Sequence, residues 1–372
     1  MTGRGVRSDL PWTFNSFEMG IVGYKNSGKT TLIEKLVPLL KLDLAYVKHD
    51  AHSFEMDHEG KDTFRISAAG AKVVAISGSD KNALLRPSGL HPVLSCLDFL
   101  EQDAVLVEGY KDSSLPKIVV LDESLSILND PAFRGKPPLA VVGASVQPPS
   151  MSWNVPYFCR DNLGDISVFI QSYWLSLVKN RPLCGLVLTG GKSVRMGRDK
   201  AAINYRGQEQ AVHAFQLLEA VCDEVFVSCR AEQSDLPGRR GLPQIHDKLL
   251  DAGPLSGILA ALEFRPDAAW LVVACDLPRL NAQVLERLIQ ARNPFRFATA
   301  YSGFEGFPEP LCTIYEPKSF SRFYQFLAAG HSCPRKMLIN SPLALLEPLD
   351  PGSLVNVNDE TTYAEVIHDW GA

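Results

Sequence analysis

Residues 19–30 read MGIVGYKNSGKT, an apolar run that ends in a glycine-rich loop. In the loop, residues 23–30, the glycines let backbone N–H groups face a phosphate, Lys29 can reach the β/γ-phosphates and Thr30 can ligate magnesium. Residues 30–41, TTLIEKLVPLLK, have the apolar spacing of a helix, so the strand, loop and helix of a P-loop follow in order. The stretch predicts a nucleotide-binding loop made by Asn26, Ser27, Gly28, Lys29, Thr30 and Thr31.

Short apolar runs alternate with helical patterns on both sides of this loop, from residue 18 to residue 178. Such alternation is typical of a mainly parallel α/β sheet. We therefore predict an N-terminal extension over residues 1–17 and a P-loop NTPase-like domain over residues 18–178. The strand candidates are EMGIVGY, DLAYVKH, AKVVAIS, DAVLVEGY, PKIVVLD and PPLAVVGAS.

Two acidic or polar features follow strands of this domain. Glu108 ends the run AVLVEG, where a P-loop fold holds its magnesium ion. Thr30 and Glu108 are therefore candidate metal ligands. A polar cluster after the strand AYVK could bind a metal or form a solvated loop over the nucleotide; it comprises His49, Asp50, His52, Asp57 and His58.

A second, unlike loop occupies residues 186–202, LVLTGGKSVRMGRDKAA. Gly190 and Gly191 permit close approach of the backbone to a ligand, because they carry no Cβ. The loop supplies positive charge for a triphosphate but lacks the GK[ST] ending of a P-loop. Its cationic candidates are Lys192, Arg195 and Lys200.

A second α/β series begins at Leu183, so we place the domain boundary near residue 180 and a Rossmann-like domain at residues 183–372. Asp276 ends the strand WLVVACDLP, the place for a metal ligand in an open α/β sheet, and has no basic neighbour in sequence. Asp247 precedes GPLSG, which predicts a tight turn leading into a helix. A nucleotide loop with a strand-end aspartate and no GK[ST] indicates a nucleotidyltransferase rather than a hydrolase.

Composition narrows the classes of protein. The 372 residues carry a net charge of −5, which argues against a nonspecific nucleic-acid binder. Eight scattered cysteines without a CxxC pair fit a reducing cytoplasm. The first 17 residues lack the apolar core of a signal peptide, and no apolar run approaches the roughly 18 residues of a membrane span.

The motifs of the first domain resemble those of the MobB family, small P-loop GTP-binding proteins tied to molybdenum cofactor synthesis. The resemblance covers residues 18–175 and rests on GYKNSGKTTLIEKL, VKHDAHSFEMDHEGKDTFRISAAGA and VEGYK. The sequence has no NKxD guanine-reading motif, so GTP rather than ATP is implied by the resemblance alone. The family resemblance also assigns five residues to the site region: His49, Gly60, Lys61, Asp62 and Arg65.

The motifs of the second domain, LTGG…RMGRDK, GPLSG, CDLP, EPLCTIY and NVND, resemble the MobA family over residues 183–368. That family transfers GMP from GTP to molybdopterin, with Mg²⁺ as cofactor. The resemblance implies that Leu188, Thr189 and Gly190 contact the nucleotide, that Lys200 and Asp247 bind GTP, and that Asp276 binds GTP and magnesium. Lys200, Asp276 and Arg195 are the candidate catalytic residues. Ser228 stands where some members have an asparagine.

Alternatives remain open. A cytidylyltransferase for the same pterin, or a sugar-1-phosphate nucleotidyltransferase, would share the glycine-rich loop and the strand-end aspartate. A non-catalytic GTP-dependent adaptor is the alternative from another class. Expected partners are GTP, molybdopterin and molybdoenzymes or their chaperones, without nucleic acid or membrane. Asn356 and Asn358 either support a metal on Asp276 or make a turn.

Overall fold

The computed structural model describes residues 14–49, 57–85, 96–133, 136–144, 146–148, 151–190, 199–205, 207–249, 252–303 and 305–369. Two compact units divide the chain between Leu175 and Ser176. Within the described ranges, no helix is both long and apolar enough to cross a bilayer. Several residues singled out in the sequence lie outside those ranges, namely Asp50, His52, Gly191, Lys192 and Arg195.

The first unit is built on a six-stranded parallel sheet of order β2-β5-β1-β6-β7-β8. A separate antiparallel hairpin pairs β3 with β4. The strands are β1 (Glu18–Val22), β2 (Leu44–Lys48), β3 (Val74–Ser77), β4 (Asn82–Leu85), β5 (Ala104–Glu108), β6 (Lys117–Val120), β7 (Ala140–Gly143) and β8 (Tyr157–Cys159). The helices are α1 (Lys29–Leu40), α2 (Asp62–Ala68) and α3 (Leu163–Ser176).

Burial of β1 and β5 explains why the P-loop has a fixed base. Every residue of both strands is buried, as expected for central strands of a parallel sheet covered by helices. Helix α1 buries Leu32 and Leu36, and Trp174 of α3 donates its indole N–H to the Glu18 carbonyl at 3.0 Å. The loop between β1 and α1 therefore stands on a packed core at the carboxyl edge of the sheet.

The second unit is built on a seven-stranded sheet of order β11-β10-β9-β12-β14-β13-β15. Strand β14 runs antiparallel to both of its neighbours, while the remaining pairs are parallel. The strands are β9 (Leu183–Leu188), β10 (Glu224–Cys229), β11 (Gln244–His246), β12 (Ala269–Ala274), β13 (Ala298–Ser302), β14 (Pro308–Tyr315) and β15 (Leu343–Leu346). The helices are α4 (Gln210–Glu219), α5 (Pro254–Phe264), α6 (Ala282–Gln290), α7 (Ser319–Ala328), α8 (Pro334–Ile339) and α9 (Glu360–Asp369).

Two buried clusters cover the two faces of this sheet. Phe215 and Leu218 of α4 pack on one face with Leu285 and Leu288 of α6, and α5, α7 and α8 pack on the other. This three-layer arrangement confirms the α/β class predicted for the second domain. One local prediction was wrong: the helix begins at Pro254, inside GPLSG, so Gly257 is helical rather than part of a turn.

Candidate functional site

The P-loop has the backbone shape that its sequence requires. Gly28 has a φ of 89° and Asn26 a φ of 63°, both in the left-handed region that favours glycine and asparagine. A Cβ on Gly23 would meet the Ser27 hydroxyl and would lie 2.6 Å from the Val120 carbonyl. The buried Ser27 Oγ has no hydrogen-bond partner among the described residues. A bound phosphate could supply that partner.

Thr30 and Glu108, the two candidate metal ligands of this unit, lie in direct contact. Thr30 Oγ1 lies 2.9 Å and 3.1 Å from the two carboxylate oxygens of Glu108, and the Tyr46 hydroxyl donates to the same carboxylate at 2.7 Å. Burial and this hydrogen bond raise the pKa of Tyr46. Lys29 Nζ donates to the Tyr24 carbonyl at 2.8 Å, and burial lowers its pKa, with Glu108 opposing the change.

The polar segment after β2 only partly adjoins this loop. The His49 ring stacks on Tyr110 with ring centroids 4.2 Å apart. The backbone N–H of His49 donates to the Glu108 carbonyl at 2.9 Å. Other residues that the resemblance placed in the site region are exposed; they are Gly60, Lys61, Asp62 and Arg65. No group of three or more potential metal ligands forms among the described His, Cys, Asp and Glu side chains.

In the second unit, the end of β9 meets the end of β12. Lys200 Nζ lies 3.0 Å from Asp276 Oδ2 and also donates to Asn358 Oδ1. The Val357 N–H donates to the Asp276 carbonyl at 2.9 Å. The segment containing Asn358 thus lies against Asp276 and supplies a hydrogen-bond acceptor for Lys200.

Asp276 keeps one oxygen available for a ligand. Its Oδ1 atom is buried and has no hydrogen-bond partner among the described residues, whereas Oδ2 accepts from Lys200. An unpaired buried carboxylate oxygen is costly unless a cation or a donor completes it. The geometry therefore marks Oδ1 as a position for an external cation or donor.

Gly190 packs directly against Asp247. A Cβ on Gly190 would lie 2.7 Å from Asp247 Oδ2, so any larger residue there would displace the Asp247 side chain. Ser228 donates its hydroxyl to Asp247 Oδ1 at 2.5 Å. The serine thus makes a hydrogen bond at the position where some family members have an asparagine. Burial raises the pKa of Asp247, and the Ser228 hydrogen bond opposes that change.

Comparison with known proteins assigns both units. The family model for molybdopterin guanine dinucleotide synthesis protein B matches residues 19–139. The family model for the MobA-like NTP transferase domain matches residues 185–343. A Methanocaldococcus jannaschii protein named as a putative molybdopterin-guanine dinucleotide biosynthesis adapter is 32% identical, over 38% of this chain and 68% of its own length. A Pseudomonas paraeruginosa molybdenum cofactor guanylyltransferase is 33% identical, over 42% and 81%. The chain belongs to both the MobB and the MobA-like families.

A relative that carries a combined name is also similar. The molybdenum cofactor biosynthesis bifunctional protein of a Synechocystis species is 40% identical over 51% of this chain. The match covers 55% of that protein, so the chain spans little more than half of its length.

One buried residue of the MobA-like unit was missed in the sequence. The side chain of Arg239 is fully buried and contacts Thr189 and Asp199, which flank the second glycine-rich loop. It donates to Thr189 Oγ1 at 3.0 Å and to the Thr189 carbonyl, and to Asp199 Oδ2 at 2.6 Å. Asp199 in turn caps the turn that carries Lys200, by accepting from the Ala201 N–H at 3.1 Å. Nothing in PGRRGLP distinguishes Arg239 from the exposed Arg240.

Proposed function

We propose that the MobA-like unit transfers GMP from GTP to molybdopterin and releases pyrophosphate. The observation that carries the proposal is the meeting of Lys200, from the nucleotide loop, with Asp276, whose second carboxylate oxygen has no described partner. A cation and a carboxylate at adjacent strand ends can hold the triphosphate and its metal ion on one edge of the sheet.

The residues of the loop have separate tasks in this proposal. The backbone at Leu188, Thr189 and Gly190 lies against the nucleotide, and Lys200 neutralises charge that develops on the triphosphate. Asp247 accepts hydrogen bonds from GTP, positioned by Ser228. Arg195 supplies a second cation. The phosphate of molybdopterin attacks the α-phosphorus in line, the bond to pyrophosphate breaks, and no side-chain nucleophile is needed.

The donor set fits magnesium in both units. Mg²⁺ commonly uses one or two carboxylates with substrate phosphates and several waters, so a cage of three protein ligands is not required. Asp276 Oδ1 would hold the ion in the MobA-like unit, and Thr30 with Glu108 would hold it in the MobB-like unit. Bound magnesium would neutralise phosphate charge as a Lewis acid.

For the MobB-like unit we propose GTP binding by Asn26, Ser27, Gly28, Lys29, Thr30 and Thr31, in an adapter that passes the finished cofactor to molybdoenzymes or their chaperones. The supporting observation is the left-handed loop geometry above the buried Ser27 hydroxyl. We also propose that the protein acts in the cytoplasm, since its eight cysteines are scattered and include no CxxC pair.

Mass spectrometry of the product tests the proposed transfer. The protein is incubated with magnesium, molybdopterin and equal concentrations of GTP, CTP and ATP. We expect molybdopterin guanine dinucleotide to dominate, since buried groups that pair with guanine are unsatisfied by another base. Equal incorporation of CMP would move the assignment to the cytidylyltransferases, and no dinucleotide at all would leave a non-catalytic adaptor.

A further inference from the structure

Arg160 follows strand β8 and lies at the same carboxyl edge of the sheet as the P-loop. Its backbone N–H donates to the Gly143 carbonyl at 2.9 Å, so the chain remains paired with the end of β7. Its side chain runs along the edge rather than straight into solvent: Nη2 donates to the Leu121 carbonyl, next to the end of β6, at 2.8 Å. Adjacent strands are roughly 4.8 Å apart, so the side chain spans the end of β7.

The far end of the guanidinium group stands over the phosphate loop. A Cβ built on Gly28 would lie 3.3 Å from Arg160 Nη1 and 3.8 Å from its Cζ. Gly28 directly precedes Lys29, in the part of the motif whose backbone N–H groups cradle the phosphates. The Leu121 carbonyl holds Nη2 in place. Nη1 is therefore the guanidinium nitrogen that lies beside the cradle.

The surroundings leave this cation available to a ligand. Arg160 is exposed to solvent, and it forms no ion pair with any carboxylate of the described residues. A guanidinium presents five N–H donors in one plane, so one carbonyl contact leaves several donors for phosphate oxygens. Anchoring to Leu121 also reduces the side-chain freedom that binding would otherwise remove.

We propose that Arg160 donates hydrogen bonds to the phosphate oxygens of a nucleoside diphosphate or triphosphate bound by the P-loop. It supplies a cation from outside the P-loop motif and acts beside Lys29. The proposal rests on the proposed nucleotide binding of the MobB-like unit. It predicts that Arg160 contributes to affinity for the nucleotide and only a little to the stability of the fold.

Titration with a fluorescent GDP derivative tests the proposal in the full chain. All proteins carry Lys200→Ala, which weakens binding of nucleotide in the MobA-like unit. In that background we compare Arg160→Gln, Arg160→Lys and Lys29→Ala. The matched control is Lys35→Gln, which removes one positive charge from the exposed face of α1.

We expect Arg160→Gln to raise the Kd for GDP about tenfold, which corresponds to the loss of one charge-assisted hydrogen bond. Arg160→Lys should fall in between, because a point charge cannot serve Leu121 and a phosphate together. Lys35→Gln should bind as its parent does. Without nucleotide, the thermal midpoint of Arg160→Gln should lie within a few degrees of the parent's, since only the hydrogen bond to Leu121 is lost.

Two results would overturn the proposal in distinguishable ways. If Lys29→Ala loses binding while Arg160→Gln keeps the parental Kd, Arg160 is no phosphate ligand and the P-loop function stands. If the parent binds GDP no better than Lys29→Ala does, nucleotide binding by the P-loop is itself wrong, and the role of Arg160 falls with it.

Discussion

At the scale of single residues, Asp276 illustrates how a site can be recognised and yet misjudged in its surroundings. The sequence places it at the end of a buried strand, with no basic residue among its immediate neighbours. The folded chain brings Lys200 to within 3.0 Å, from 76 positions away. Lys200 therefore pairs with one oxygen of the Asp276 carboxylate and leaves the other oxygen for a ligand.

Replacing Asp276 with Asn should reduce transfer more than tenfold with little change in the fold. The amide keeps the size of the side chain but removes the charge that would hold the metal ion, a contribution of several kcal/mol. Steady-state kcat measures the effect. Asp267→Asn, at an exposed aspartate of the same unit, serves as the control, and more than a tenth of wild-type kcat in Asp276→Asn would contradict the metal role.

Asp247→Asn should stabilise the fold at neutral pH while weakening GTP binding. Burial raises the pKa of Asp247 above its ordinary value of 3.8, so the folded protein keeps this proton after the unfolded chain has lost it. Ionisation then costs stability as the pH rises. Thermal midpoints of variant and wild type should agree below about pH 4 and diverge above it.

The control for this prediction has the opposite sign. A hydrogen bond from Arg265 lowers the pKa of Asp267, so its ionised form stabilises the folded state once the pH exceeds its unfolded pKa. Asp267→Asn should therefore lower the midpoint at neutral pH, and the loss should disappear in acid. If both variants shift the midpoint in the same direction, burial does not govern Asp247.

At the scale of elements, helix α5 packs closely against the ends of β9 and β10. A Cβ on Gly257 would lie 2.7 Å from Leu188 Cδ2 and would meet the Ser228 hydroxyl. Close approach of the helix to β9 and β10 thus keeps Ser228 on Asp247. The element was predictable from the apolar spacing, but its first residue was not, because Pro254 at the start of the helix turns GPLSG into helix rather than loop.

Gly257→Ala should weaken GTP binding, although alanine favours helices. The added methyl group must displace Ser228 or Leu188, and overpacking of this kind costs about 1–3 kcal/mol. Isothermal titration with GTP and a thermal midpoint measure the two effects. Gly164→Ala is the matched control, since its Cβ would meet nothing within 4 Å; an unchanged Kd in Gly257→Ala would show that α5 does not set the loop.

The sequence predicted the strands and loops that bear glycine signatures, but it did not reveal the buried side chains that reach these loops from other segments. The P-loop and the pairing of Thr30 with Glu108 follow from strand order at one sheet edge. Arg239 could not be found, since an arginine is ordinarily exposed and only the packed structure reveals its partners. The antiparallel direction of β14 could not be predicted either, because an apolar run does not indicate which way a strand runs in the sheet.

At the scale of the whole molecule, two unlike glycine-rich loops occur in one chain. Each unit has its own sheet, and each loop contacts residues of its own unit. We therefore infer that the two sites act independently in the chemical step, because each is formed by residues of its own unit. Their presence in one chain raises the effective concentration of one unit near the other.

The central claim is that GMP transfer belongs to the second loop alone, and a steady-state assay of the full chain with GTP, magnesium and molybdopterin tests it most directly. Wild type is compared with Lys200→Ala and Lys29→Ala, which remove the equivalent charge from each loop. We expect Lys200→Ala to lose transfer about a hundredfold and Lys29→Ala to remain within about twofold of wild type. A hundredfold loss in Lys29→Ala, or wild-type transfer in Lys200→Ala, would contradict this division of labour.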